Sequence, residues 1–153
     1  MMPESQSQTR NLITVQTTRF GEIRVPEEQV LTLPHGMVGF PNLHRYVLVK
    51  HREDSPFHWL QSLDSPELAF AVVNPLIFDR TYQITLGNTE TRLLKVNDPS
   101  HLQLWAVVTI PHGHPEKMTA NLKAPLVINL QNRLAAQVIL DDPRYSVRHP
   151  LPK

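Results

Sequence analysis

The chain has 153 residues, 41% of them hydrophobic, which fits one globular domain with a core of its own. Its 15 basic and 14 acidic residues give a formal net charge of +1, so charge offers no reason to expect binding to nucleic acid or to an anionic membrane surface. The absence of cysteine excludes disulfides and thiolate metal sites.

The N-terminus is polar, and we expect residues 1–12 to form a disordered extension ahead of a single β-barrel-like domain at 13–153. The first residues contain no apolar signal-peptide core, and no apolar run is long enough to span a bilayer. The sequence therefore predicts a cytoplasmic protein with no membrane partner.

Short apolar or alternating segments, separated by 14 prolines, recur along the whole chain. Each proline fixes its own φ and removes a backbone donor, which leaves few windows of helical length. The pattern predicts an all-β, mainly antiparallel small barrel with one or two short helical turns, the best candidate being a helix at 88–96 capped by Asn88. Strands are predicted at 11–18, 22–25, 29–33, 45–51, 57–62, 68–73, 82–86, 102–110, 125–130 and 135–140.

The segment FHWLQSLDSPELAFAVVNP at 57–75 predicts a hairpin with an Asp-Ser-Pro turn. Alternation places Phe57, Trp59 and Gln61 on one face of its first strand. The Trp59 indole N–H and the Gln61 amide each need a hydrogen-bond partner. Two interpretations stay open: Trp59 is core and Gln61 bonds a neighbouring turn, or both belong to a protein-docking surface.

Catalytic motifs are lacking. The five glycines are too scattered to form a G-x-G-x-x-G or P-loop, and no G-x-S-x-G occurs. His112 and His114 bracket Gly113 and could present two imidazoles to one metal, although a solvated turn is the simpler explanation. We expect no enzymatic activity and no cofactor. A metal-dependent hydrolase at His112 and His114, or a general peptide-binding scaffold, remains the alternative.

Several long stretches resemble the bacterial flagellar assembly factor FliW family. They are FGEIRV, VLTLPHGMVGFPNLHRYVLV, SPFHWLQSLDSPELAFAVVNP, MTANLKAPLVINLQNRLAAQVIL and DDPRYSVRHPL, and together they run from about Phe20 to Leu151. The resemblance implies a small β-barrel-like fold without catalysis.

The resemblance also implies two protein partners, flagellin and the translational repressor CsrA. Free FliW captures CsrA and so relieves repression of flagellin mRNA translation, whereas accumulated flagellin occupies FliW and releases the repressor. Family members are commonly acidic, and this chain is not, so we expect shape and apolar contact to govern affinity here.

Candidate partner contacts lie in two segments. We also expect the chain to be a monomer that binds no nucleic acid directly. An extended partner segment could add to a free strand edge near either one. Ordinary core packing is the alternative for Met118 and Leu122. The candidates are Trp59, Gln61, Asp64 and Glu67 in the hairpin, and Met118, Asn121 and Lys123 in the segment MTANLKAP.

Overall fold

The structure, a computed structural model, describes residues 11–151. Of the extension predicted at 1–12, residues 1–10 lie outside this range, and the first strand already begins at Leu12. No helix in the described range is long and apolar enough to cross a membrane. The strands are β1 (Leu12–Thr17), β2 (Gly21–Pro26), β3 (Leu31–Thr32), β4 (Arg45–Lys50), β5 (Phe57–Ser62), β6 (Ala69–Val73), β7 (Leu102–Thr109), β8 (Thr119–Asn129), β9 (Leu134–Gln137) and β10 (His149–Pro150).

The strands from β3 to β9 form a nearly closed ring, which confirms the predicted all-β barrel-like fold. Consecutive strands from β3 to β9 pair in antiparallel fashion, and β9 returns to β3 through one parallel pair, Thr32 with Leu134. Strand β8 is long enough to serve two neighbours, because its start pairs with β10 and its end pairs with β9. The register between β7 and β8 shifts after Trp105, where β8 carries Pro125.

The inner face of the ring is filled by one apolar cluster. Alternation along each strand sends every second residue inward, and Leu60, Val72 and Leu126 from three different strands meet in this cluster. The loop before β4 closes one end of the ring with the buried side chains Leu33 and Met37. This loop therefore belongs to the core of the barrel.

Two separate layers cover the outer face of the ring. The β1–β2 hairpin packs Val15 and Val25 against Val47 of β4. Elsewhere the helix α1 (Asn88–Leu93), the segment before it and the C-terminal tail pack onto a second outer cluster that includes Tyr82 and Tyr145. On the outer face of β5, Phe57 and Trp59 are only partly buried.

The predicted strand at 82–86 is wrong. These residues are not assigned to any strand, although Tyr82, Ile84 and Leu86 do pack on the outer cluster. The reason is that the side chain of Tyr145 supplies the pairing: its hydroxyl accepts from Gln83 N at 3.2 Å and donates to Gln83 O at 3.2 Å. A side chain thus replaces the neighbouring strand that would have made this segment a β-strand.

The helix prediction is confirmed over a shorter range than 88–96, but the predicted cap is wrong: Asn88 is the first helical residue, and the N-cap is Gly87, whose N–H donates to Glu90 Oε1 at 3.0 Å. Helix α1 ends at Leu93, and Lys95 just beyond it has a φ of 52°, a left-handed conformation that stops the helix. Among the described residues, 3-10 turns begin at Pro75, Pro99 and Pro115, and one more follows Pro26. Proline suits the first position of such a turn because the N–H of that residue has no partner within the turn, and proline has no N–H to leave unpaired.

Two buried tyrosines should respond in opposite ways to loss of the hydroxyl. Tyr46 Oη has no hydrogen-bond partner inside the barrel, and burial raises the pKa of Tyr46 to about 12. Tyr82 Oη donates to the Leu122 carbonyl at 2.7 Å. We expect Tyr46→Phe to leave the free energy of unfolding unchanged or slightly higher, and Tyr82→Phe to lower it by about 1–2 kcal/mol. Urea unfolding of both variants beside the wild type measures this, and equal losses would contradict the assignment.

Candidate functional site

An apolar groove lies on the outer face of the ring. It consists of two adjoining hollows of about 300 and 190 Å³, both lined by Phe57 and Met118. The first hollow is also lined by Pro56, Val73, Ile77, Phe78 and Leu151, and the second by His51, Trp59, Ala71 and Ile110. We refer to these eleven residues as the groove.

Sheet order brings the walls of the groove together from distant parts of the sequence. Phe57 and Trp59 point outward from β5, and Trp59 pairs with Ala71 on the neighbouring strand β6. Ile110 follows the end of β7, and Met118 precedes β8. The sheet therefore builds one surface from side chains that lie up to about a hundred residues apart in the chain.

Large apolar side chains stand exposed at the groove. Ile77 is 59% exposed and Ile110 is 47% exposed, although both are large aliphatic residues. A continuous apolar surface that includes aromatic rings is typical of protein-docking sites rather than of a small catalytic cleft. The arrangement can bind an apolar segment of another chain, since it offers area and shape with few polar groups.

The β1–β2 turn covers one end of the groove. Arg19 places its guanidinium carbon 3.9 Å from the centroid of the Trp59 ring, and the Phe20 ring meets Trp59 edge-on at 6.4 Å between centroids. The turn is fixed by the Thr17 side chain, which donates to Gly21 O at 2.7 Å and accepts from Phe20 N at 2.8 Å. Trp59 is thus half-buried and held from one side.

Two of the residues singled out in the sequence, Trp59 and Met118, line the same hollow. Both also pack against the outer cluster, so each contributes to the core and to the surface. The two interpretations left open for Trp59 are therefore compatible. Their role in partner binding stays a prediction.

Gln61 is fully buried and holds a turn. Its Nε2 lies 2.9 Å from Ser62 O and 3.2 Å from both Pro66 O and Leu68 O. Its Oε1 is buried and has no donor. The structure thus favours the interpretation in which Gln61 bonds to a neighbouring turn. The side chain offers no surface to a partner.

Asp64 and Glu67 lie in the exposed turn between β5 and β6 and do not line the groove. Asp64 is paired with Arg45 at 2.6 Å, and the hydrogen bond to this carboxylate raises the pKa of Arg45. Glu67 is exposed and has no ion-pair partner within the described range. Of the two carboxylates, only that of Asp64 is in an ion pair within the described range.

Asn121 and Lys123 stand near the register shift in β8, also outside the groove. The Asn121 side-chain oxygen accepts from the backbone N–H groups of Lys123 at 3.0 Å and Ala124 at 2.9 Å. These bonds satisfy backbone donors where β8 leaves β7. Asn121 thus stabilises the bend in the strand, and Lys123 is only partly exposed.

The structure gives no support to a metal centre at His112 and His114. Within residues 11–151, no group of three or more His, Asp or Glu side chains is arranged to hold a metal ion. Both histidines are exposed, and His114 Nδ1 lies 3.3 Å from Glu116 Oε2 instead. The solvated turn that the sequence allowed describes this loop better.

A larger hollow of about 630 Å³ lies between residues 83–85 and 140–144, but its chemistry is self-contained. Its charged groups are Asp141 and the pair of Asp142 with Arg144 at 2.7 Å. Hydrogen bonds from Arg144 lower the pKa of Asp142 to about 2. Asp142 and Arg144 thus neutralise each other within the tail. The apolar groove is therefore the stronger candidate for a binding surface.

Sequence reasoning missed Ile77 and Ile110 of the groove, and it missed Arg19, which lies against Trp59 at one end of it. Ile77 follows Pro75 in a 3-10 turn, and Ile110 directly precedes Pro111. For both isoleucines the available signal was a large aliphatic residue near a proline. A proline marks the end of a strand or a turn, and such a position is seldom inside a barrel. Arg19 offered no signal, since its neighbour Trp59 is forty residues away.

The chain matches known proteins over nearly all of its length. The family model described as FliW protein matches residues 14–151. The flagellar assembly factor FliW of Ruminiclostridium cellulolyticum is 44% identical over 136 residues, which are 88% of this chain and 91% of the relative. The factor of the same name from Geobacter sulfurreducens is 43% identical over 138 residues, 90% of this chain and 86% of the relative. A crystal structure of the flagellar assembly factor FliW superposes with a TM-score of 0.82 at 32% identity, covering 92% of this chain and 98% of that one.

The fold and the site define the class as a small, nearly closed β-barrel domain with an apolar groove on its outer face. The match over residues 14–151, together with relatives of more than 40% identity, identifies the family within this class. The chain belongs to the FliW family.

Proposed function

We propose that this protein binds flagellin and, when free of it, binds and antagonises the translational repressor CsrA in the cytoplasm. Family membership supports the proposal, because the matched relatives bear the name flagellar assembly factor. The observation in the structure that carries it is the apolar groove, where Trp59, Ile110 and Met118 surround one hollow. Such a surface suits a protein partner and requires no catalytic group or cofactor.

Flagellin and CsrA would compete for this protein by mass action. A protein that binds only one of them at a time is removed from the repressor whenever flagellin is abundant. Secretion of flagellin then frees the protein, which captures CsrA and allows flagellin mRNA to be translated. The mechanism needs no direct contact with RNA or membrane, and a monomer suffices for it.

Calorimetric titration of the protein with CsrA from its host, before and after saturation with flagellin, tests this function. We expect binding to CsrA that is abolished or strongly weakened by flagellin. Binding to both partners at once, with unchanged affinity, would contradict the switch. Binding to neither would reduce the protein to a general peptide-binding scaffold with the FliW fold.

A further inference from the structure

Arg19 is an exposed cation without an acceptor. Its guanidinium lies against the Trp59 ring, and it has neither an ion pair nor a hydrogen bond within the described residues. A guanidinium stacked on an aromatic face keeps its in-plane N–H donors free at its edge, in the fork geometry that matches a carboxylate. The residue is therefore arranged to receive an acceptor from outside the chain.

The turn that carries Arg19 is held in place before any partner arrives. The Thr17 bonds close the β1–β2 turn, and Thr18 N donates to Pro66 O at 2.9 Å, which ties this turn to the one between β5 and β6. Phe20 adds an edge-on contact to the same Trp59 ring. A side chain that is already held in place loses less conformational entropy on binding.

The indole of Trp59 and the ring of His51 offer further donors near Arg19. Trp59 Nε1 has no acceptor among residues 11–151 and is not sealed from solvent. The His51 ring lies 6.4 Å from the Trp59 ring, and the exposed Lys117 adjoins Met118 on the opposite wall. The groove thus has an apolar floor and donors at its edge.

Three acidic residues near His51 and Lys117 in sequence already face a basic side chain. Glu53 lies 3.5 Å from Lys50, and Asp54 lies 3.9 Å from Arg52. Glu116, next to Lys117, faces His114. Arg19 and Lys117 remain as exposed cations without an ion pair within the described residues, and the exposed carboxylates Glu22 and Glu67, on β2 and in the β5–β6 turn, have none either.

We propose that Arg19, supported by Trp59 and His51, is a carboxylate-binding subsite at the end of the groove. The occupant is a segment of flagellin whose apolar side chains fill the hollows at Phe57 and Met118 while one acidic side chain meets Arg19. This inference rests on the proposed function, since flagellin is the partner assigned. A basic RNA-binding repressor would meet like charge at this edge and binds elsewhere.

Titration of purified flagellin from the host into the wild type, Arg19→Gln and Arg19→Lys tests the subsite. We expect Arg19→Gln to weaken binding about tenfold or more, because one charge-assisted contact is lost. Arg19→Lys should recover only part of this, since an ammonium neither stacks nor binds in bidentate fashion. Added salt should weaken the wild-type complex more than the Arg19→Gln complex.

Arg24→Gln is the matched control, because Arg24 is an exposed arginine on β2 of the same hairpin. It should bind flagellin like the wild type, and thermal unfolding should show all variants folded. Unchanged affinity in Arg19→Gln, or an equal loss in Arg24→Gln, would overturn the subsite while the wild type still binds flagellin. A loss confined to CsrA binding would overturn the assigned occupant. No binding of flagellin by the wild type would instead refute the proposed function and this inference with it.

Discussion

Gly36→Ala should lower the free energy of unfolding by about 2–5 kcal/mol, a large part of the stability of a small domain. Gly36 has a φ of +65°, which an L-residue adopts only with strain. A Cβ at this position would overlap the Phe40 carbonyl oxygen and would lie 2.9 Å from Pro41 Cα. Both obstacles are backbone atoms, so the loop itself would have to move.

The cost is high because this loop forms one end of the core. Leu33 and Met37, on either side of Gly36, are buried in the inner cluster. The loop is also held by the bond from Val38 N to the Gln137 side chain of β9 at 2.9 Å. Movement of the backbone at Gly36 therefore disturbs packing inside the barrel as well as the turn.

Gly39→Ala provides the control within the same loop. Gly39 also has a positive φ, of +90°, but a Cβ there would meet no atom within 4 Å. It should cost only the conformational strain, about 1–2 kcal/mol. Chemical denaturation of both variants measures the difference. Equal losses would show that strain alone, and not the close approach to Phe40, explains the need for glycine at position 36.

The fold was largely predictable because its strands obey local rules. Alternation and prolines located most of the strands that the structure contains, and α1 was located although its cap is Gly87 and not Asn88. The segment 82–86 had the same local pattern but no neighbouring strand, since Tyr145 supplies its hydrogen bonds from 62 residues away. Closure of the ring through Thr32 and Leu134 likewise depends on contacts that no window of the sequence contains.

The candidate site was predictable only in part, and for the same reason. The face shared by Phe57 and Trp59 followed from alternation within β5. The same alternation placed Gln61 beside them, yet the turn folds over Gln61 and buries it. Local periodicity gives the face of a strand to which a residue belongs, but what covers that face depends on other parts of the chain.

Ile110→Asp should weaken flagellin binding at least about thirtyfold, which corresponds to about 2 kcal/mol. Ile110 lines the groove opposite Trp59 and is 47% exposed, so the free protein can solvate the new carboxylate. A bound apolar segment would bury that charge without a partner. The acidic side chain that we assign to flagellin would in addition meet a like charge.

Ile139→Asp separates this effect from a general change in charge. Ile139 is 69% exposed, follows the end of β9 as Ile110 follows the end of β7, and lies beside α1 away from the groove. The same substitution there should leave flagellin affinity unchanged in calorimetry, with both variants unfolding at temperatures near the wild-type value. If instead Ile139→Asp abolishes binding and Ile110→Asp does not, flagellin docks on the α1 side of the barrel. Since a carboxylate replaces an exposed isoleucine in both variants, only the location of the docking surface can then account for the difference.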